Sequence, residues 1–303
     1  MNAHRVASFL FRSACLAGLM TLAVIATGRV SAETAKVDPA KTRHVVSRDG
    51  TRIAYDTSGK GPALIVVNGA LSDRSSSTEF AQLLADHFTV YTYDRRGRGD
   101  STDTPPYSVQ REIEDIEALI DSAGGSAYVY GKSSGAALAL QAASALGDKV
   151  KKLAIYEAPY SEAEGAAKEW KGFRPEIDGL LAADRRSDAI TRFMKFVGAP
   201  DDAVAKMKAS PAWPSMLAMA PTLAYDNALL GADRSVPAGI SVKVTAKTLV
   251  MDGSSSAGPM PFMRPTADKL AKLIPGAQRQ TVEGQAHDVS AKVLAPILLT
   301  FFE

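Results

Sequence analysis

Between residues 63 and 156 the chain alternates short apolar runs with segments whose apolar residues recur at helical spacing. A continuous apolar run is typical of a strand buried on both faces of a parallel sheet. The runs cover residues 63–68, 89–94, 127–130 and 152–156, and the helical segments cover residues 78–87, 109–122 and 135–146. Repeated strand–helix units imply right-handed crossovers, so the alternation predicts an α/β fold with a doubly wound, mostly parallel sheet.

The sheet is predicted to extend at both ends of this region. Strand-like runs at 44–47 and 52–56 flank Asp49-Gly50, a strong hairpin signal, so the domain is expected to open with an antiparallel edge. After residue 242 the alternation resumes with a strand at 248–251, a helix at 266–274, a short strand at 280–282 and a closing helix at 289–302. The core is therefore predicted to comprise residues 33–159 and 243–303.

Residues 160–242 interrupt the alternation. They lack strong strand patterns and contain six prolines, so we predict an inserted helical cap. Some large side chains of this cap are expected to face a substrate, although each taken singly also suits the interior of the cap. These side chains are Trp170, Phe173, Phe193, Phe196, Trp213, Met216, Met219 and Tyr225.

The first 32 residues have the composition of a signal peptide. Arg5 and Arg12 precede an apolar run at 14–26, and Val-Ser-Ala at 30–32 supplies small residues for cleavage. The run is shorter than the roughly 20 residues that a membrane-spanning helix needs, which disfavours an uncleaved anchor. We therefore expect export to the periplasm or the medium, with a mature chain that starts near Glu33 and is not bound to the membrane.

Removal of this segment changes the charge and the cysteine count. The full chain carries 35 basic and 33 acidic residues, and the segment holds three arginines and the only cysteine, Cys15. The mature chain would be nearly neutral, which gives no electrostatic reason to expect nucleic acid or an anionic membrane as a partner. Without cysteine it could form neither disulfides nor thiolate sites.

A glycine-flanked serine follows the predicted strand at 127–130. The sequence Gly-Lys-Ser-Ser-Gly at 131–135 opens the next predicted helix, which is the context of a nucleophile elbow. In such a turn the serine is forced into a strained conformation, and side chains on the flanking glycines would clash. Ser133 is therefore predicted to present its hydroxyl at a helix N-terminus, where the helix dipole favours developing negative charge.

With this elbow, the chain resembles the α/β-hydrolase superfamily over roughly residues 43–302. The other matching features are Asn68-Gly69, the turn at 94–101 and His287. The resemblance implies a serine nucleophile that needs no metal or organic cofactor. It also implies an oxyanion hole made by the backbone N–H groups of Ala70 and Ser134. The turn at 94–101 is interpreted as structural, pinned by arginine hydrogen bonds.

The catalytic base is predicted to be His287. The mature chain has three histidines, and a serine nucleophile needs a base whose pKa is near neutral. His44 precedes the first strand and His87 ends a surface helix, positions where histidine is typically solvated. His287 lies in the loop between the last strand and the last helix, where the family places its catalytic histidine.

The acid that orients this histidine is less clearly encoded. Most relatives carry it after the strand at 248–251, where this chain has Ser256, whose hydroxyl cannot supply the required charge. Glu157 ends the preceding strand, where certain haloalkane dehalogenases and epoxide hydrolases carry their acid, and we favour it. Asp252 is the main alternative, and Asp288 or a weak dyad is a further one.

These features predict acyl transfer on a small molecule, with a small, fairly apolar ester as the favoured substrate. The same triad could act on amides, lactones or peracids, because the elbow does not specify the leaving group. A non-catalytic, ligand-binding homologue is a further alternative, since Ser256 occupies the usual position of the acid.

Overall fold

The computed structural model of the protein describes residues 42–258 and 260–303. The predicted signal peptide lies outside the described residues. Among the helices that are described, none combines the length and the apolar character needed to cross a membrane.

Eight strands form one sheet, in the order β1-β2-β4-β3-β5-β6-β7-β8. Strands β1 and β2 pair antiparallel, as do β2 and β4, while all the other pairs are parallel. The strands are β1 (Arg43–Val46), β2 (Arg52–Ser58), β3 (Ala63–Val67), β4 (Thr89–Tyr93), β5 (Ala127–Lys132), β6 (Val150–Tyr156), β7 (Lys247–Gly253) and β8 (Gln278–Val282). The predicted α/β fold with a mostly parallel sheet and an antiparallel edge is confirmed.

Helices cover both faces of this sheet because alternate strand residues point to opposite sides. Leu64 and Val66 of β3 belong to a core under α1 and α11, and Ile65 and Val67 belong to a core under α2, α3 and α10. These five helices are α1 (Thr78–Leu84), α2 (Val109–Ser122), α3 (Ser134–Leu146), α10 (Met263–Leu273) and α11 (Ala291–Phe302). Helix α10 starts three residues before its predicted start, because Pro265 is tolerated in a first turn, where no intrahelical N–H bond is lost.

Six helices connect β6 to β7, in the stretch where the sequence predicts a cap. They are α4 (Ala166–Ala182), α5 (Arg186–Phe196), α6 (Asp201–Lys208), α7 (Trp213–Met219), α8 (Leu223–Leu229) and α9 (Ala238–Ser241). Trp170, Phe173 and Phe196 stack on one another, with ring centroids 3.9 to 5.8 Å apart. These rings therefore form the interior of the helical layer.

Candidate active site

Ser133 occupies the sharp turn between β5 and α3. Its backbone has φ 58° and ψ −130°, a conformation that is rare for residues other than glycine. Its N–H donates to the carbonyl of Tyr156 at the end of the neighbouring strand, 3.0 Å away. A Cβ on Gly135 would lie 2.1 Å from the carbonyl oxygen of Val67, and a Cβ on Gly131 would lie 2.4 Å from that of Gly135. Gly135 is therefore required for the turn to pack against β3, and Gly131 is required for β5 to pack against the start of α3.

His287 and Glu157 are in direct contact. Nδ1 of His287 lies 2.6 Å from Oε2 of Glu157, whose carboxylate is fully buried. The other carboxylate oxygen accepts the N–H of Gly253 at 2.8 Å, so both oxygens of Glu157 have donors. Glu157 has φ 50°, and its N–H donates to the carbonyl of Met251 at 3.0 Å, which fixes this turn at the end of β6. Because a carboxylate accepts hydrogen bonds, we assign Nδ1 as the donor, and Nε2 has no hydrogen-bond partner among the described residues.

The other acids considered from the sequence have different partners. Asp252 is buried, accepts a hydrogen bond from Thr281 at 2.7 Å, and forms ion pairs with Arg279 at 2.7 Å and Arg264 at 3.2 Å. Asp288 is fully exposed and pairs with Lys132 at 3.0 Å. Of the candidate carboxylates, the one in contact with His287 is therefore that of Glu157.

The loop after β3 lies directly against the serine. A Cβ on Gly69 would be 3.0 Å from Cβ and 3.5 Å from Oγ of Ser133, so glycine is needed for this close approach. The side chain of Asn68 shapes the loop by donating to the carbonyl of Asp73 at 2.8 Å and by accepting the hydroxyl of Ser77 at 2.6 Å. Within residues 42–258 and 260–303, the N–H groups of Ala70 and Ser134 have no hydrogen-bond acceptor.

A buried ionic cluster contacts Gly69 and Ser134. Nη1 of Arg98 donates to the carbonyl of Gly69 at 2.6 Å, and Nη2 donates to both carboxylate oxygens of Asp226 of α8, at 2.9 and 3.0 Å. Asp226 also accepts the hydroxyl of Ser134 and a guanidinium N–H of Arg95, both at 2.7 Å. Burial raises the pKa of Asp226, but the positive charges of Arg98 and Arg95 and the hydroxyl of Ser134 outweigh burial and hold this pKa below its ordinary value.

This cluster extends the interpretation of the turn at 94–101. The turn was expected to be purely structural, and its three buried arginines are indeed fully paired with carboxylates. Arg95 pairs with Glu112 and Asp226, Arg96 pairs with Asp49 and Asp115, and Arg98 pairs with Asp226. The link from Arg98 to Gly69, and the role of Asp226, gave no signal in the sequence.

Ser133 and His287 line one cavity of about 630 Å³, within the size range of small-molecule sites. Ala70 and Lys132 also line it, as do side chains from the stretch between β6 and β7 and from the loop before α10. These side chains are Phe193, Met194, Val197, Arg234, Met260 and Phe262. Some of the eight large cap side chains were expected to face a substrate, and Phe193 lines this cavity, whereas Trp170 and Phe173 are buried.

Sequence and structure comparisons agree with this architecture. Residues 64–292 match the model of the alpha/beta hydrolase family, which is more than half of the chain. The chain therefore belongs to the alpha/beta hydrolase family. Its fold, its eight-stranded sheet and this match together support a general hydrolase function.

The individual relatives are diverse. The chain is 36% identical to an uncharacterized hydrolase, YraK, from Bacillus subtilis, over 30% of this chain and 35% of the relative. It is 34% identical to an N-formylmaleamate deformylase from Pseudomonas putida, over 38% of this chain and 45% of the relative. The matched regions thus span less than half of either relative.

Solved structures match over most of the chain. An alpha/beta hydrolase from Sphaerobacter thermophilus is 47% identical, with a TM-score of 0.78 over 86% of this chain and 100% of the other. An enol-lactonase from Burkholderia xenovorans has a TM-score of 0.63 over 86% of this chain and 99% of the other. At 20% identity it supports the fold alone.

Proposed function

We propose that this protein is a serine-dependent hydrolase that cleaves a small, fairly apolar ester through an acyl-enzyme. The observation that carries this proposal is the 2.6 Å contact between His287 and Glu157, beside a cavity that Ser133 also lines. A buried carboxylate on Nδ1 orients the imidazole and stabilises the imidazolium that forms when Nε2 accepts a proton. An imidazole oriented in this way can accept the proton of a nucleophilic serine.

In the proposed reaction, Oγ of Ser133 attacks the ester carbonyl while Nε2 of His287 accepts the hydroxyl proton. The same proton then passes to the leaving alcohol as the carbon–oxygen bond of the ester breaks. Water next attacks the acyl-enzyme, with His287 as its base, and release of the acid restores the serine. Every step uses groups of this chain and water, and we propose no cofactor.

The oxyanion hole is assigned to the N–H groups of Ala70 and Ser134. Support for this assignment comes from the unsatisfied state of both groups within the described residues and from the close packing of Gly69 on Ser133. Preorganised backbone donors of this kind stabilise the charge that develops on the carbonyl oxygen. Arg98 supports one of these donors, because it binds the carbonyl of the same peptide unit.

The type of bond that the enzyme cleaves is the more specific part of the proposal. A relative from Vibrio cholerae, a pimeloyl-[acyl-carrier protein] methyl ester esterase, agrees with an ester, whereas the deformylase named above keeps amides open. Lactones are a further alternative, because the elbow does not specify the leaving group. A panel of p-nitrophenyl esters, lactones and anilides separates these classes. We expect the highest kcat/KM on a short-chain ester.

Labelling with a fluorophosphonate tests the serine mechanism itself. We expect an adduct on Ser133 in the wild type and none in Ser133→Ala, with slower labelling in His287→Ala. Absence of an adduct from well-folded wild-type protein would contradict the proposal and favour a ligand-binding homologue.

We further propose export of the mature chain, which N-terminal sequencing of the protein from a periplasmic fraction checks.

A further inference from the structure

Arg234 is a buried cation that lines the cavity shared by Ser133 and His287. The residue is only 6% exposed. The comparably buried arginines of the turn at 94–101 all pair with carboxylates, whereas Arg234 has no carboxylate within ion-pair distance among the described residues. Since buried charges are normally paired, this exception indicates a site that a ligand completes.

The guanidinium of Arg234 is held in a fixed orientation. Its Nε donates to the carbonyl of Pro159 at 2.6 Å, and its own carbonyl accepts the N–H of Ser161 at 2.8 Å. Three rings surround the head group, with centroids at 4.4 Å for Phe262, 5.1 Å for Phe196 and 5.8 Å for Trp170. The backbone of Arg234 has φ 60°, a left-handed conformation that its surroundings must maintain.

Two terminal NH2 groups of Arg234 remain for a ligand. Throughout residues 42–258 and 260–303, neither group has a hydrogen-bond acceptor, because the one side-chain bond of Arg234 uses Nε. Two parallel N–H donors in a rigid plane match the geometry of a carboxylate. Because no described residue occupies either donor, the two terminal NH2 groups can bind both oxygens of one anion in the cavity.

The charge of Arg234 also favours a single negative group. Burial lowers the pKa of Arg234 to about 10, and the more distant Glu169 partly opposes this effect, so the guanidinium stays protonated at neutral pH. The other charged residues that line the cavity are Glu79, Lys132 and Asp288, and the last two neutralise each other at 3.0 Å. Arg234 carries one positive charge with no carboxylate partner among the described residues, and a monoanionic carboxylate matches this charge better than a dianionic phosphate.

We propose that Arg234 binds a carboxylate of the substrate, so that the preferred substrates are esters in which an apolar chain links the scissile carbonyl to a terminal carboxylate. This inference rests on the proposed hydrolase function and narrows it to a substrate class. The apolar side chains of Phe193 and Met260 line the same cavity and suit the linking chain. The carboxylate replaces the missing partner of Arg234, and the ester lies at Ser133.

Paired substrates test this proposal by turnover. The monoester of p-nitrophenol with glutaric acid and the p-nitrophenyl ester of valeric acid differ mainly by the terminal carboxylate. We expect the wild type to have a kcat/KM at least about tenfold higher for the acidic ester, and Arg234→Gln to lose this preference, because a hydrogen-bonded charge pair is removed. Since both rates come from the same preparation, the ratio is independent of the fraction that folds.

Arg192→Gln is the matched control. Arg192 stacks on Phe173 and Phe196, with distances of 5.0 and 5.9 Å to their centroids, but it pairs with Glu176 and does not line the cavity. We expect this variant to keep the wild-type ratio. If Arg192→Gln and Arg234→Gln lose the preference for the acidic ester equally, the effect comes from the aromatic cluster and the proposal is overturned. A wild type that does not prefer the acidic ester would also overturn it.

Binding without turnover separates this inference from the hydrolase proposal. In Ser133→Ala, we expect hexanoate to bind measurably by calorimetry and neutral hexanamide to bind at least about tenfold more weakly. Adding Arg234→Gln should abolish the difference. Successful fluorophosphonate labelling of the wild type together with equal binding of the two ligands would overturn the role of Arg234 alone. If labelling of the wild type fails but hexanoate still binds more tightly than hexanamide, the proposed hydrolase function is overturned instead.

Discussion

The guanidinium of Arg98 lies 2.6 Å from the carbonyl oxygen of Gly69, and that carbonyl belongs to the same peptide unit as the N–H of Ala70. In a trans peptide the C=O and N–H groups point in opposite directions, so holding one aims the other. The positive charge also polarises the peptide and makes its N–H a better donor. Arg98 therefore acts as a positioning residue for one of the proposed oxyanion donors.

Replacing Arg98 by lysine tests this relationship. Lysine keeps the positive charge near Asp226 but lacks the fork that reaches Gly69 and Asp226 together. We expect kcat to fall by about 10- to 100-fold with little change in KM, because the loss affects the transition state more than substrate binding. Steady-state kinetics on a p-nitrophenyl ester measure both constants.

Arg96→Lys is the control for this substitution. Arg96 comes from the same turn and is equally buried, but it pairs with Asp49 and Asp115 and has no contact with Gly69. We expect it to lower stability while kcat of the folded enzyme stays close to the wild-type value. Equal losses of kcat in both lysine variants would contradict a specific role for Arg98.

The identity of the catalytic acid is tested with Glu157→Gln and Asp252→Asn. The glutamine cannot carry the charge that orients His287, so we expect kcat to fall by about 10²- to 10⁴-fold. Asp252→Asn breaks ion pairs with Arg279 and Arg264 and should lower the melting temperature more than it lowers kcat. Full turnover in Glu157→Gln, with none in Asp252→Asn, would reverse the assignment.

The close approach of Gly69 to the serine predicts sensitivity to one added methyl group. In Gly69→Ala the new Cβ would lie 3.0 Å from Cβ of Ser133 and 3.2 Å from the carbonyl of Lys132, so the loop must shift. We expect a decrease in kcat of about tenfold or more, because small displacements at a reacting centre have large effects on rate.

Gly179→Ala is a suitable control for that methyl group. Gly179 lies on α4, and a Cβ there would have no neighbour within 4 Å. This variant should keep full activity and gain about 0.5 to 1 kcal/mol in the free energy of unfolding, since alanine is the better helix former. If Gly69→Ala and Gly179→Ala lower kcat equally, the close packing of Gly69 on Ser133 does not explain the loss.

Asp226 is predicted to make stability depend on acidic pH. Its pKa in the folded protein is below the ordinary 3.8, so its contribution is fully present above that value and is lost as the pH falls through the lowered pKa. Near neutral pH, Asp226→Asn should lower the free energy of unfolding by about 3 to 5 kcal/mol, because Arg98 and Arg95 lose a buried partner. Urea unfolding at several pH values should show this difference narrowing in acid.

Asp202→Asn provides the comparison for this measurement. Asp202 forms an exposed pair with Lys206 one turn along α6, and its side chain is 69% exposed. Such pairs contribute little, so we expect the urea midpoint to change hardly at all at any pH. A wild-type-like midpoint in Asp226→Asn would show that the buried cluster does not support the fold.

The sequence predicted the elbow at Ser133 and the sheet because both are encoded over short stretches. A strand, two glycines and a helix must be contiguous, and buried parallel strands are continuous apolar runs. The contact between Glu157 and His287 spans 130 residues, yet it was anticipated because the chain resembles hydrolases that carry their acid at the end of this strand. Glu157 also ends the strand next to the one that leads to Ser133, and neighbouring parallel strands end at one edge of the sheet.

Arg234 and Asp226 could not be identified in this way. Both lie in the stretch between β6 and β7, whose helices show no periodicity that distinguishes a buried charge from a solvated one. Their roles depend on contacts with the turn at 94–101 and with the end of β6, which only the folded structure reveals. For the same reason the sequence could not tell which of the eight large cap side chains face a substrate and which, like Trp170 and Phe173, form the interior of the helical layer.

The salt bridges of Asp226 also restrict how a ligand can enter. If the six helices above the sheet lifted away together, one carboxylate and two guanidinium groups would be stripped of their partners, at a cost of several kcal/mol. We therefore expect a ligand to enter on the side of the cavity lined by α5, because Asp226 ties α8 to Ser134.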